Sequence, residues 1–163
     1  MEKQKVTICW LRRDLRLFDN AALYHALRSP FPVLLLFIFD KNILDHLDNK
    51  TDKRVAFIHE TLLEINKTTL EFGSSMLVYH DTPVSAFAKL KGYYQIEDIF
   101  TNHDYEAYAI KRDEQIKEFA DLNKINFLSF KDQVIIEKSE VMKPDQSPYT
   151  IFTPYSKIWK EKY

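Results

Sequence analysis

With 163 residues, 45% of them hydrophobic and 14% aromatic, the chain is long enough to bury one core and too apolar to stay disordered. Its 23 Lys and Arg nearly cancel 24 Asp and Glu, and a formal charge of -1 excludes the basic footprint that duplex DNA demands of a self-sufficient binder. The single Cys9 excludes an internal disulfide, and no stretch approaches the ~20 apolar residues of a spanning helix, so a soluble, cytoplasmic protein with no membrane partner is expected.

In chain order, Val6 to Leu11 is an apolar run without strict alternation, the pattern of a strand covered on both faces, with Cys9 as a buried, inert thiol. Asp19 then precedes Asn20 to Leu27 as the N-cap of a first helix ending before Pro30. Val33 to Phe39 is the strongest apolar run; Pro32 bars helix from entering it, so a central parallel strand ending at Asp40 is predicted. The helical pattern is longest from Asp52 to Phe72, where Val55, Ile58, Leu62 and Ile65 form a stripe and Gly73 stands as a left-handed stop.

A third strand is predicted over Ser75 to His80, and Thr82-Pro83 supplies a cap and first-turn proline for a helix running to Lys91 before Gly92. Ile96 to Asn102 reads as a weaker fourth strand. Glu106 to Leu122 returns to helix with Ile116, Phe119 and Ala120 on one face, and Phe127 to Phe130 is a short fifth strand. Past Lys131 the pattern loosens until Thr153-Pro154 opens a last helix. Five strand–helix alternations predict an α/β fold, a doubly wound, Rossmann-like five-stranded parallel sheet with helices on both faces. Residues 1–131 form the α/β domain, and 132–163 an extended segment beyond it.

Ligands in such sheets bind beyond the carboxyl ends of the strands, near the reversal of strand order. That selects the loops 12–19, 40–53, 80–83 and 102–106. No glycine-rich phosphate fingerprint follows the first strand, and the five histidines are scattered, so neither a conventional dinucleotide site nor a metal site is expected. Arg12, Arg13 and Arg16 either form ion pairs with Asp14 and Asp19 or hold an anionic or planar ligand by fork geometry or stacking. Asp104 and Glu106 either cap the following helix or accept from a heteroaromatic ring that Tyr105 or Tyr108 covers. Trp10 and Trp159 read as packing residues.

The order of motifs adds more. Trp10-Leu11-Arg12-Arg13-Asp14-Leu15-Arg16-Leu17-Phe18-Asp19-Asn20-Ala21-Ala22-Leu23 closely resembles the opening signature of the photolyase/cryptochrome family. Phe37 to Asp40, Arg54 to Ile58, Asn102 to Glu106, Lys111 to Asp113 and the Pro148 to Trp159 segment match in the family's order. The resemblance implies an N-terminal antenna domain of a DNA photolyase, whose second chromophore absorbs near-UV or blue light and passes excitation to FAD in a helical C-terminal domain. That domain is the implied partner, and damaged DNA is met through it alone. The resemblance assigns chromophore contacts to Arg12, Phe37, Asp40, Arg54 and Glu106, to which the reading of the 102–106 loop adds Asp104, and structural roles to Arg13 and Asp14. Where folate-binding members carry Asn-Glu, this chain has Tyr108-Ala109, so the resemblance favours a deazaflavin or flavin antenna over methenyltetrahydrofolate.

Two other functions fit the same pattern: the corresponding domain of a cryptochrome blue-light receptor, and a stand-alone α/β nucleotide-binding module. The Thr150 to Trp159 junction segment speaks against the latter. Because FAD and the DNA-binding face belong to the helical domain, the 163-residue chain alone is expected to reverse no pyrimidine dimers, and measurable dimer reversal by it would refute this.

Overall fold

The computed structural model describes residues 2–49 and 51–163. Five strands, β1 (Lys5–Leu11), β2 (Val33–Asp40), β3 (Met76–Asp81), β4 (Gln95–Asn102) and β5 (Asn126–Phe130), all pair in parallel in the order β3-β2-β1-β4-β5. Between and after them lie α1 (Ala21–Ala26), α2 (Lys41–Leu44), α3 (Lys53–Glu71), α4 (Pro83–Tyr93), α5 (Ala107–Leu122) and α6 (Phe152–Lys162). The predicted doubly wound α/β sheet is present.

Side-chain alternation along the central strands divides the core in two. Ile8, Trp10, Leu36 and Ile38 face α4 and α5, where Phe87, Leu90 and Ile116 are fully buried. Cys9, Leu11, Leu35 and Phe37 face α1 and α3, meeting Leu23, Ala26, Leu62 and Ile65. Burial raises the Cys9 thiol pKa above its ordinary value, with Asp14 adding to the effect, so this thiol stays protonated.

β4, which looked weak in sequence, is a central strand. Ile96 and Ile99 lie three residues apart yet join one face of the core. A bulge accounts for this: Val6 pairs with Ile96 but Thr7 with Asp98, so Glu97 is the extra residue that re-phases the strand.

Side-chain caps set the starts of α1 to α4, with a change of residue at the first. Asn20, not Asp19, caps α1, accepting from Leu23 N at 3.0 Å while Asp19 takes a left-handed φ of 50°. Asp52 caps α3 and Thr82 caps α4, whose first turn carries Pro83. Asp40 caps α2, a four-residue helix in the segment read as loop. Gly73 ends α3 at φ 70° as expected. Gly92, in contrast, lies inside α4, which continues to Tyr93.

Beyond β5 the chain folds back over the sheet's carboxyl end. Asp132 accepts from Arg16 Nη2 at 2.6 Å and from Ala21 N at 3.0 Å. Glu137 accepts from the Tyr105 hydroxyl and pairs with His103 Nδ1 at 2.8 Å. It also begins a 3-10 turn at Lys138–Glu140, where Glu140 pairs with Lys131 at 2.7 Å. α6, capped at Ile151 rather than opened by Thr153, has no buried residue.

The two glycines make opposite predictions. A methyl group at Gly92 meets nothing within 4 Å on an ordinary helical backbone, so Gly92→Ala is expected to raise stability by ~0.5–1 kcal/mol in urea unfolding. At Gly73 the space is equally open but φ is left-handed, so Gly73→Ala is expected to lower it by ~1 kcal/mol. Burial opposes ionisation of Glu137, but the bonds from Tyr105 and His103 prevail and hold its pKa below the usual value. A depressed carboxyl contributes stability above its unfolded pKa of ~4.3, lost as pH falls through the folded value. The gap in urea midpoint between wild type and Glu137→Gln should therefore be open at pH 6 and close below about pH 4.

Candidate chromophore site

The carboxyl ends of β1, β2 and β4 surround a cavity of about 360 Å³ at the reversal of strand order, where β1 lies between β2 and β4. All six residues expected at a ligand site line it, and the four selected loops contribute through Arg12, Asp40, Pro83 and Asp104. Apolar side chains from α2, α3 and the segment between them, Ile43, Leu44, Leu47, Val55 and Ile58, form one wall with Phe37. Charge gathers on the other. The volume and the mixture of apolar walls with few polar groups suit a planar organic ligand.

Arg12 is the most engaged of the six. Its side chain is 7% exposed, donating to Asp113 and to the Asn102 carbonyl, with its guanidinium over the Trp10 ring at 5.0 Å. Burial lowers its pKa and Asp113 opposes that shift; an arginine keeps its charge regardless. Arg13 bonds Glu106 at 2.5 Å and stands 3.6 Å from Asp104, and the Glu106 bond raises its pKa. The arginine cluster is thus an ion-pair network, as one of the two readings held, but with other partners. Asp14 instead accepts from Arg12 N at 2.8 Å and Asn102 Nδ2 at 2.6 Å, and Asp19 offers its backbone carbonyl to Arg16.

Asp104 is 7% exposed and faces Arg13 and Arg112; Glu106 precedes α5 without capping it by its side chain, because Arg13 holds that carboxylate. Asp40 accepts from Asn42 N at 3.0 Å and from the Tyr108 hydroxyl, whose pKa burial and this bond raise above its ordinary value. Phe37 is buried, edge-on to Phe39 at 5.0 Å. Arg54 lies on the exposed rim, paired with Asp52 at 2.6 Å. The structure therefore gathers all six around the cavity, with Arg54 at its exposed rim.

Trp10 and Arg112 are additions. Trp10 packs edge-on against Phe87 at 5.3 Å, as a core residue does, yet also borders the cavity. Arg112 occupies the buried stripe Ala109, Arg112, Ile116, Ala120 of α5. An arginine at an apolar-stripe position was the legible signal. Its Cζ lies 5.1 Å from the Trp10 ring and 6.0 Å from the Tyr108 ring. Among the described residues no group of three His, Cys, Asp or Glu stands together that would hold a metal, and no helix is long and apolar enough to cross a membrane.

The profile of the DNA photolyase family matches residues 7–163. A deoxyribodipyrimidine photo-lyase of Synechococcus sp. is 29% identical over 151 residues, 93% of this chain and 31% of that protein. Cryptochrome-1 of Arabidopsis thaliana is 26% identical over 150 residues, covering 91% of this chain and 22% of the relative. The crystal structure of an archaeal photolyase from Sulfolobus tokodaii, described with two FAD molecules and a novel light-harvesting cofactor, superposes with a TM-score of 0.79 at 27% identity, over 94% of this chain and 34% of that one. The chain spans about a third of the length of the photolyases it matches. It belongs to the DNA photolyase family, as an N-terminal α/β domain of that family.

Proposed function

We propose that this domain is the light-harvesting part of a deoxyribodipyrimidine photo-lyase and that the cavity at the β1–β2–β4 ends holds its antenna chromophore. The observation that carries the reading is the convergence of Arg12, Phe37, Asp40, Asp104 and Glu106, drawn from three separate segments, on one cavity, with Arg54 on its rim. The Sulfolobus tokodaii photolyase, with its light-harvesting cofactor, supports it by fold and by 27% identity.

The residues present fit a flavin or deazaflavin. Phe37, Ile43, Leu44, Val55 and Ile58 give a planar ring an apolar face, while Arg12, Arg13, Asp104 and Glu106 supply donors and acceptors along an edge. Arg112 Nη2, buried without a hydrogen-bond partner, fits a ligand that brings an acceptor. Ala109 is buried beside the cavity and Tyr108 is engaged by Asp40, so neither position offers a pterin the amide and carboxylate of folate-binding relatives. When bound, such a chromophore supplies near-UV or blue absorption and passes excitation to FAD in a helical domain. The chain's residues orient the ring and exclude water from its apolar face.

Residues 1–131 are the chromophore domain, and 132–163 begin the connection to the FAD-binding half. The exposed Ile151, Phe152 and Tyr163 of the α6 region suit packing against helices. Damaged DNA is the partner of that half. The match to Arabidopsis cryptochrome-1 supports the second reading, photoreception, in which this domain keeps the same pocket.

Titration of the chain with riboflavin, 5-deazariboflavin and methenyltetrahydrofolate tests the site. Micromolar binding of a flavin or deazaflavin is expected, weakened about tenfold by Phe37→Ala through lost ring contact, with no folate binding. Folate binding without flavin binding would sink the reading.

A further inference from the structure

Arg112 occupies a position its own protein does not complete. The residue is 7% exposed, and its Nη2 is the one buried side-chain nitrogen or oxygen without a hydrogen-bond partner among the described residues. Nε bonds Asp113 Oδ1 at 3.1 Å. Nη2 lies 3.1 Å from the same oxygen and 3.7 Å from Asp104 Oδ2, balanced in charge but unbonded. An orphaned buried donor costs ~1–3 kcal/mol, more when charged. The guanidinium has no easy escape, because Trp10 and Tyr108 rings flank it.

Arg112 and Asp104 both line the 360 Å³ cavity, so a donor stands beside an acceptor on its wall. That pair complements a ring edge in which a carbonyl adjoins an N–H. Resting on the chromophore-site reading above, we propose that Arg112 and Asp104 together read the imide edge of the chromophore's pyrimidinedione ring. Arg112 Nη2 donates to a ring carbonyl, and the Asp104 carboxylate accepts from the neighbouring ring N–H. The site then selects by ring edge, and Arg112 is a specificity determinant. An adenine edge sets an amino donor beside a ring-nitrogen acceptor and is the competing match.

The test titrates the 163-residue chain with riboflavin, with 3-methylriboflavin, whose imide N–H is replaced by N–CH3, and with AMP. Riboflavin titrations are repeated on Arg112→Met and Arg112→Lys. Methylation of the ligand and Arg112→Met are each expected to weaken binding about tenfold or more, with Arg112→Lys recovering part of the loss and the bound flavin's absorption band shifting between wild type and Arg112→Met. Should Arg112→Met fail to fold, the two riboflavins on the wild-type chain decide alone. Riboflavin binding that is indifferent to 3-methylation, or to Arg112→Met, overturns this inference and leaves the chromophore site standing, as does AMP binding more tightly than riboflavin. Absence of riboflavin binding to the wild-type chain overturns both.

Discussion

The buried guanidinium of Arg12 is the strut on which the functional end of this sheet rests. It leaves the carboxyl end of β1 and bonds the carbonyl of Asn102 at the end of β4 and the carboxylate of Asp113 on α5. Asn102 in turn bonds Asp14, Asn20 and the first turn of α1. An unpaired charge at that depth would cost several kcal/mol, whereas a fully bonded one fixes its partners in register. The end of β1 is thus tied to the end of β4 and to α5 beside the cavity. The cavity's polar wall is a by-product of holding the sheet's end together.

Much of this was legible because it rests on local patterns. The β1, β2 and β3 runs, the α3 stripe and the Thr82-Pro83 start are each written within a few adjacent residues, where periodicity and capping chemistry act. β4 was undervalued because its bulge breaks the alternation that makes a strand recognisable. α2 was missed because four residues give no helical period. Asp19 and Asn20 are both good caps, and only the backbone decides: Asn20 is extended, while Asp19 turns left-handed.

The expected residues that line the cavity were readable in sequence and their ion-pair partners were not. The arginines found Asp113 and Asp132, separated by 101 and 116 residues in sequence, instead of Asp14 and Asp19 nearby. Such pairs depend on which loops the topology brings together, and strand order is not written in any one segment. Arg112 was legible only in part. It sits in an apolar stripe, and only its burial reveals that its side chain has been kept from water without a complete set of bonds.

The loop from His103 to Glu106 serves two masters by turns. His103 and Tyr105 reach the segment after β5 through Glu137, while Asp104 and Glu106 reach Arg13 beside the cavity. Surface loops ordinarily tolerate changes of length. Here adding or removing one residue would exchange the two sets, presenting a histidine and a tyrosine to the arginines and two carboxylates to Glu137. Length is therefore as strict a requirement in this loop as composition, by the parity logic that governs register in a strand.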